Sequence, residues 1–366
     1  MSIKRSPLHE RHVALGAKFS EFGGWEMPLE YPTGVVKEHN AVRQSVGIFD
    51  VSHLGKLVVR GIGAKELVNS SFTNDLERIE VGKAQYTLCC DEQSGGVVDD
   101  LIVYLKDDDH LLLVPNAANS GEVLRRLSQH SPEGVTLTDH HEDEVVIAVQ
   151  GPHSDDVLKA VGLPVGHDYM SFVEAPFGGE DIVVCRTGYT GERGYELIAP
   201  ASVALGLWDV LMEAGESHDM LPCGLGARDT LRTEMGYPLH GQDLSPQITP
   251  NMAGLGWAVG WKKPAFWGKD ALVAEREAGT TVALRGLIAK DRAIPRPGMS
   301  VRLTRDLPIG EITSGTFSPT LRKGVGLALI NKQAQLGAEV LVDVRGKPET
   351  FVVTKPPFVS TDVRQS

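Results

Sequence analysis

Apolar residues along this chain switch between a period near 3.6 and a period of two, and each switch marks a predicted element. In TGVVKEHNAVRQSVG, residues 33–47, Val35, Val42 and Val46 approximate a helical stripe, and Gly47 supplies a stop. IFDVSHLGKLVVRG then reads as a strand entering a sheet. Residues 84–130 read as a strand, a turn, the strand GGVVDDLIVY, the strand HLLLVPN and the helix SGEVLRRLSQH. VVIAVQGP followed by HSDDVLKAVG repeats the strand-to-helix change at 145–162. Such mixing predicts α+β layers whose sheet faces are covered by helices. FWGKDALVAEREAGT predicts a short helix ending at Gly279, after which short strand-like runs separated by turn residues predict a small β-barrel or sandwich. The chain therefore divides into residues 1–278 and 279–366.

Composition narrows the class. The 366 residues are 42% hydrophobic and 23% charged, which is ordinary for a globular protein with room for a large core. A net charge of −12 argues against broad binding to nucleic acid or an anionic membrane. Cys89 and Cys90 are neighbours, Cys185 and Cys223 stand alone, and no CxxC or Cys/His ligand spacing occurs. The expectation is a reducing compartment and no metal. No apolar run approaches the ~18 residues of a membrane span, and MSIKRSPLHERH has neither the apolar stretch of a signal peptide nor the character of a transit peptide. A cytoplasmic protein, or one already stripped of its targeting segment, is expected.

Candidate chemistry begins with Asp99 and Asp100, two adjacent acids inside an apolar strand. Alternation aims them to opposite faces, so one of them meets whatever that face packs on, and an unpaired buried carboxylate is costly. In CRTGYTGERGYELIAP, Gly188, Gly191 and Gly194 recur every three residues before Glu196, an acid entering an apolar strand. Such a loop either wraps a flat ligand or merely connects two strands, and spacing alone leaves both open. GLGARDTLRTEMG lacks the third glycine of a dinucleotide fingerprint and reads instead as a helix start. Arg228 then opposes the helix dipole, which leaves it either a surface residue or a ligand contact. Asn116, at a strand end before a helix, is either a cap or a ligand contact. HHEDE at 140–144 reads as a solvated turn, and His53 as a hydrogen-bonded structural histidine.

FGGWEMP, FDVSHLGK, GGVVDDLIVY, VQGP, RTGYTGERGYE, PCGLGARDTLR, GLGWAV and ITSGTFSP occur in an order that closely resembles the aminomethyltransferases, the T proteins of the glycine cleavage system. The resemblance spans nearly the whole chain. It implies a cloverleaf of two intertwined folate-binding lobes with a C-terminal β-barrel. It also implies transfer of a one-carbon unit from an aminomethyl group on the lipoyl arm of the H protein to tetrahydrofolate, releasing ammonia. By the same resemblance Asp100 matches the catalytic position and Asp99 a supporting one. Glu196 and Arg228 match the pterin-holding pair, Asn116 a residue near the reacting centre, and Tyr189 and Trp257 positions lining the site. Leu54 stands where the family usually has Met, a near-isosteric change on the folate side. A carboxylate in a dry cleft suits this chemistry, because it can stabilise developing positive charge and handle the amine proton.

Two relatives within the fold fit less well. An iron–sulfur assembly factor would carry a cysteine where GYPLHGQDL has Pro238, and a flavoenzyme would need a further domain. A folate-binding module without activity would lack Asp100. Charge is also segregated: residues 262–305 carry a net +6 in a chain whose total is −12. The resemblance turns this into an expectation that Arg292 and Arg296 seat the acidic H protein.

Overall fold

The structure is a computed structural model that describes residues 3–361 and 363. Its predicted elements form, and the main departure falls where the chain changes sheets. IFDVSHLGKLVVRG makes two strands: Gly47–Asp50 pairs antiparallel with Glu144–Gln150, and Leu57–Arg60 with His110–Val114. The break is an Asx turn in which Ser52 N donates to Asp50 Oδ1 at 2.9 Å, followed by Gly55 N donating to Pro115 O at 2.8 Å. The preceding helix, Val35–Gln44, stops before Gly47, which is already strand.

This crossing intertwines the two lobes. A five-stranded antiparallel sheet runs in the order Ala84–Cys90, Val97–Asp107, His110–Val114, Leu57–Arg60, Thr136–Asp139. A six-stranded sheet runs Phe172–Phe177, Glu180–Cys185, Gly194–Pro200, Glu144–Gln150, Gly47–Asp50, Leu221–Pro222, so its Gly47–Asp50 strand precedes the whole other sheet in sequence.

Alternation along these strands builds three cores. Val59, Leu101, Val103 and Leu113 pack under helices Ala64–Ser71 and Ser120–His130. Val145, Ile147, Val149 and Leu197 pack under Ser154–Ala160 and Ala204–Gly215. The opposite faces of the two sheets meet each other, with Tyr104 and Leu112 in one cluster with Ala148, Val183 and Ile198. Asp100 shares the inner parity of Tyr104, and Glu196 that of Ile198, so both acids rise from the surface where the lobes face each other.

The third body is a closed six-stranded barrel, Val282–Ala289 to Lys347–Thr354, filled by Leu287, Val301, Ile312, Ile330, Val342 and Phe351. Buried polar groups of helix Leu225–Met235 fasten it: Glu234 accepts from Ser318, Thr320 and Arg43, and Arg232 donates to Asp243 and Ser314. No helix among the described residues is long and apolar enough to cross a membrane.

Candidate active site

Asp99 and Asp100 do leave the strand on opposite faces, yet a single side chain reaches both. Asn116 Nδ2 lies 2.9 Å from Asp99 Oδ1 and 2.9 Å from Asp100 Oδ1, while Asn116 N donates to Asp99 Oδ2 at 3.1 Å. Alternation fixes where Cβ points, but the carboxyl oxygens still bend toward a common donor at the strand end. Asn119 Nδ2 also donates to Asp99 Oδ1, at 2.7 Å. Asp99 is fully buried and takes three donors. Asp100 is half-buried and takes Tyr86 OH on Oδ2 at 3.0 Å. Tyr86 lies diagonally across the strand pair, since Leu88 is the residue directly opposite Asp100.

Burial pushes both carboxyls up from their ordinary range, and at Asp99 the neighbouring charge of Asp100 adds to it. Donors from Asn116, Asn119 and Tyr86 work against that rise. Behind them, Asn119 Nδ2 meets His240 Nδ1 at 3.0 Å, and His240 Nε2 lies 3.2 Å from Val97 O.

A second group of side chains comes from the other sheet. Glu196 Oε2 accepts the Thr187 hydroxyl at 2.5 Å, and Thr187 Oγ1 lies 3.1 Å from Tyr104 OH, so one hydroxyl joins the two lobes. Arg228 sits with its guanidinium 4.7 Å from the Tyr189 ring centroid. Its Nη1 is buried and meets no acceptor among the described residues. Burial weakens its hold on its proton, and the charge of Glu196 is the chief offset. Tyr189 OH donates to Pro238 O, and its ring stacks on Tyr237. Burial pushes this phenol up, and after the opposing charge of Arg232 comes that of Asp100, which places the two groups of side chains within electrostatic reach.

The three spaced glycines serve the protein rather than an open groove. A Cβ on Gly188 or Gly194 would strike Gln150, and one on Gly191 would strike Met235. Gln150 Nε2 donates to Thr187 O and Tyr195 O and its Oε1 accepts from Thr190, so the loop is moulded around a buried amide.

Trp257, 63% exposed, stacks on Tyr86 with centroids 5.4 Å apart and forms a platform beside Asp100. Leu54 is half-buried against the cluster between the sheets. His53, expected to be hydrogen-bonded, is buried with its Nδ1 meeting no partner among the described residues, and burial followed by the Arg228 charge lowers its pKa to about 3. The HHEDE segment is a turn with Glu142 and Asp143 exposed, as expected, but His141 departs from that reading. His141 is buried, packs on Trp25 and meets His53 O at 2.8 Å, because this turn folds over the first lobe crossing.

Arg292 and Arg296 are both exposed, and Arg296 donates to Gly315 O. Much of the surrounding positive charge is already committed. Lys263 is buried on Phe72 O and Asn74 O, Lys290 pairs with Glu339, and Arg276 lies over Trp261.

Sequence reasoning missed Tyr86, Asn119, His240, Thr187 and Gln150. Of these, only Tyr86 carried a local signal, a polar aromatic in the strand antiparallel to the acids. The rest are brought in by loops and by the facing sheet.

Comparison with known proteins agrees with the architecture. A family model described as the GCVT N-terminal domain matches residues 8–263, and one described as the glycine cleavage T-protein C-terminal barrel domain matches 283–360. An aminomethyltransferase of a Parafrankia species is 59% identical over 363 residues, covering 99% of both chains. One from Mycobacterium tuberculosis is 55% identical over 360 residues, covering 98% of this chain and 97% of its own. The crystal structure of glycine cleavage system aminomethyltransferase T from Bartonella henselae superposes with a TM-score of 0.92 at 34% identity, covering 98% of each chain.

Proposed function

The chain belongs to the glycine cleavage T-protein family of aminomethyltransferases, and from that premise we propose which of its residues carry the reaction. The enzyme is a one-carbon transferase of a family that uses tetrahydrofolate. In this reading the H protein delivers an aminomethyl group on its lipoyl sulfur, and tetrahydrofolate supplies two nitrogens to the methylene carbon. For the atoms to balance, the carbon loses one bond to nitrogen and one to sulfur. Two folate N–H protons then end on ammonia and on the thiol.

That proton traffic, and the positive charge at the carbon, fall to Asp100. It is the acid that faces the space between the lobes, and Tyr86 and Asn116 hold its two oxygens. Burial and the charge of Asp100 push Asp99 up to about 8, so near neutrality Asp99 holds its proton and Asp100 is left as the member of the pair that accepts and returns one. Asn116 is the positioning residue for both.

The observation that carries the folate reading is the buried, unpartnered Nη1 of Arg228. A buried guanidinium donor without an acceptor is costly, and the pterin carbonyl oxygen supplies one. Glu196 then accepts ring N–H donors, the polarity opposite to Arg228. Tyr189 and Leu54 wall this end, and Trp257 with Tyr86 forms the aromatic platform at the other.

H-protein docking is assigned to Arg292 and Arg296. Their loop packs at Gly315, next to Ser314, whose hydroxyl meets Gln242 and Asp243 in the segment that also carries His240. A partner seated there would lie at the rim of the same cleft.

Ammonia release from aminomethylated H protein, with and without tetrahydrofolate, tests the function. Release that depends on folate supports it, and folate-independent release or none at all contradicts it.

A further inference from the structure

Away from the cleft, the fold brings together three side chains that the sequence keeps far apart. His153 caps the helix Ser154–Ala160, Asp156 lies in its first turn, and His218 ends the short 3-10 helix Glu216–His218. His153 Nδ1 is 3.0 Å from Asp156 Oδ2. The rings of His153 and His218 are stacked, with centroids 4.6 Å apart and planes at 22°. The three possible ligand atoms all lie within 4.8 Å of one another.

We propose that His153, Asp156 and His218 form a binding site for a divalent transition metal of the zinc class. Two imidazoles and one carboxylate are the donor set of a three-ligand zinc site with an open fourth position. With metal–ligand distances of about 2.0–2.2 Å, tetrahedral ligands stand about 3.4 Å apart, so side-chain movements of little more than an ångström close the set. These side chains are partly exposed and can make that adjustment.

The backbone, by contrast, is already fixed. His153 N donates to Ser45 O at 3.0 Å, and Ser45 Oγ donates to His218 O at 2.5 Å, so Ser45 holds both histidine segments in place. The neighbouring acid Asp155 does not compete, because Arg193 and Tyr195 engage it.

An i,i+3 ion pair alone would explain Asp156 beside His153. It does not explain a second imidazole, from a separate segment, stacked on the first. Hard cations such as Mg2+ prefer all-oxygen shells and are poor candidates here. A bound ion would cross-link the start of one helix to the turn at 216–219, and an ion that binds only the folded chain stabilises it.

The test uses tag-free, chelator-treated full-length protein titrated with Zn2+ by calorimetry and with Co2+ by visible absorption. One Zn2+ per chain is expected, with Mg2+ failing to compete and the melting temperature rising on Zn2+ addition. His218→Ala and Asp156→Asn should each weaken Zn2+ binding by about tenfold or more and abolish the melting shift, with circular dichroism and aminomethyl transfer unchanged. No Zn2+ binding below about 100 μM would overturn the proposal. So would binding that survives unchanged in both variants.

Discussion

Glu196→Gln separates the charge of the carboxylate from its shape. Glutamine keeps an oxygen for the Thr187 hydroxyl, so the contact at 2.5 Å and its link to Tyr104 survive. What disappears is an acceptor-only group able to take two ring N–H donors, together with the negative charge near Arg228. A hydrogen bond with one ionised partner contributes about 1.5–3 kcal/mol, so the dissociation constant for tetrahydrofolate should rise by about 10- to 150-fold. Glu196 is also the chief offset to the burial of Arg228, so the folate-free variant should melt somewhat lower. Titration calorimetry measures the first effect and a thermal scan the second. An unchanged folate affinity refutes the pterin role. If the melting temperature falls while affinity holds, Glu196 serves only to support Arg228.

Other consequences concern stability, tuning and docking. At Asp50, burial is outweighed by the His12 hydrogen bond and charge, and at Glu234 by His39, Ser318 and Arg43, so each pKa falls to about 2. Because these folded values lie below the unfolded ones, each group's contribution, on the order of 2–3 kcal/mol, is complete above about pH 4.5 and is lost as pH falls through about 2. Urea midpoints should therefore drop below pH 4.5, and a midpoint flat down to pH 3 would contradict the assignment. Tyr86→Phe removes a donor that favours ionised Asp100, so the acidic limb of the kcat–pH profile should move to higher pH, and an unmoved limb would detach Tyr86 from Asp100. Reversing Arg292 and Arg296 to Glu should raise the apparent KM for H protein and leave folate affinity alone, with wild-type association weakening as salt screens beyond ~10 Å. A variant that saturates like the wild type would move the docking site elsewhere.

The fold was legible where side-chain period alone decides it. The barrel strands, the helix ending at Gly279 and the Asp strand each declare themselves in a window of about ten residues. The one strand that was two, 47–60, was not legible, because Val51 is apolar and buried and the chain turns through the side chain of Asp50. At the site, Asp100 stood out as an acid in an apolar run, and Glu196 likewise. Asn119 and His240 did not, since their meaning lies in a contact between residues more than a hundred apart. The glycine spacing was visible but its reason was not. Gln150, the side chain that needs the space, sits at the end of a strand that looks ordinary.

Single-turnover ammonia release across pH, for the wild type, Asp100→Asn and Asp99→Asn, tests the central claim most directly. Asp100→Asn should retain fold and folate affinity while turnover falls by roughly 10² to 10⁴, the span of a lost acid–base group, and the acidic limb of the profile should vanish. Asp99→Asn should keep that limb near its wild-type position, because Asp99 already holds its proton over the range in which Asp100 titrates. Equal losses in the two variants, or an acidic limb that persists in Asp100→Asn, would contradict the assignment of proton transfer to Asp100.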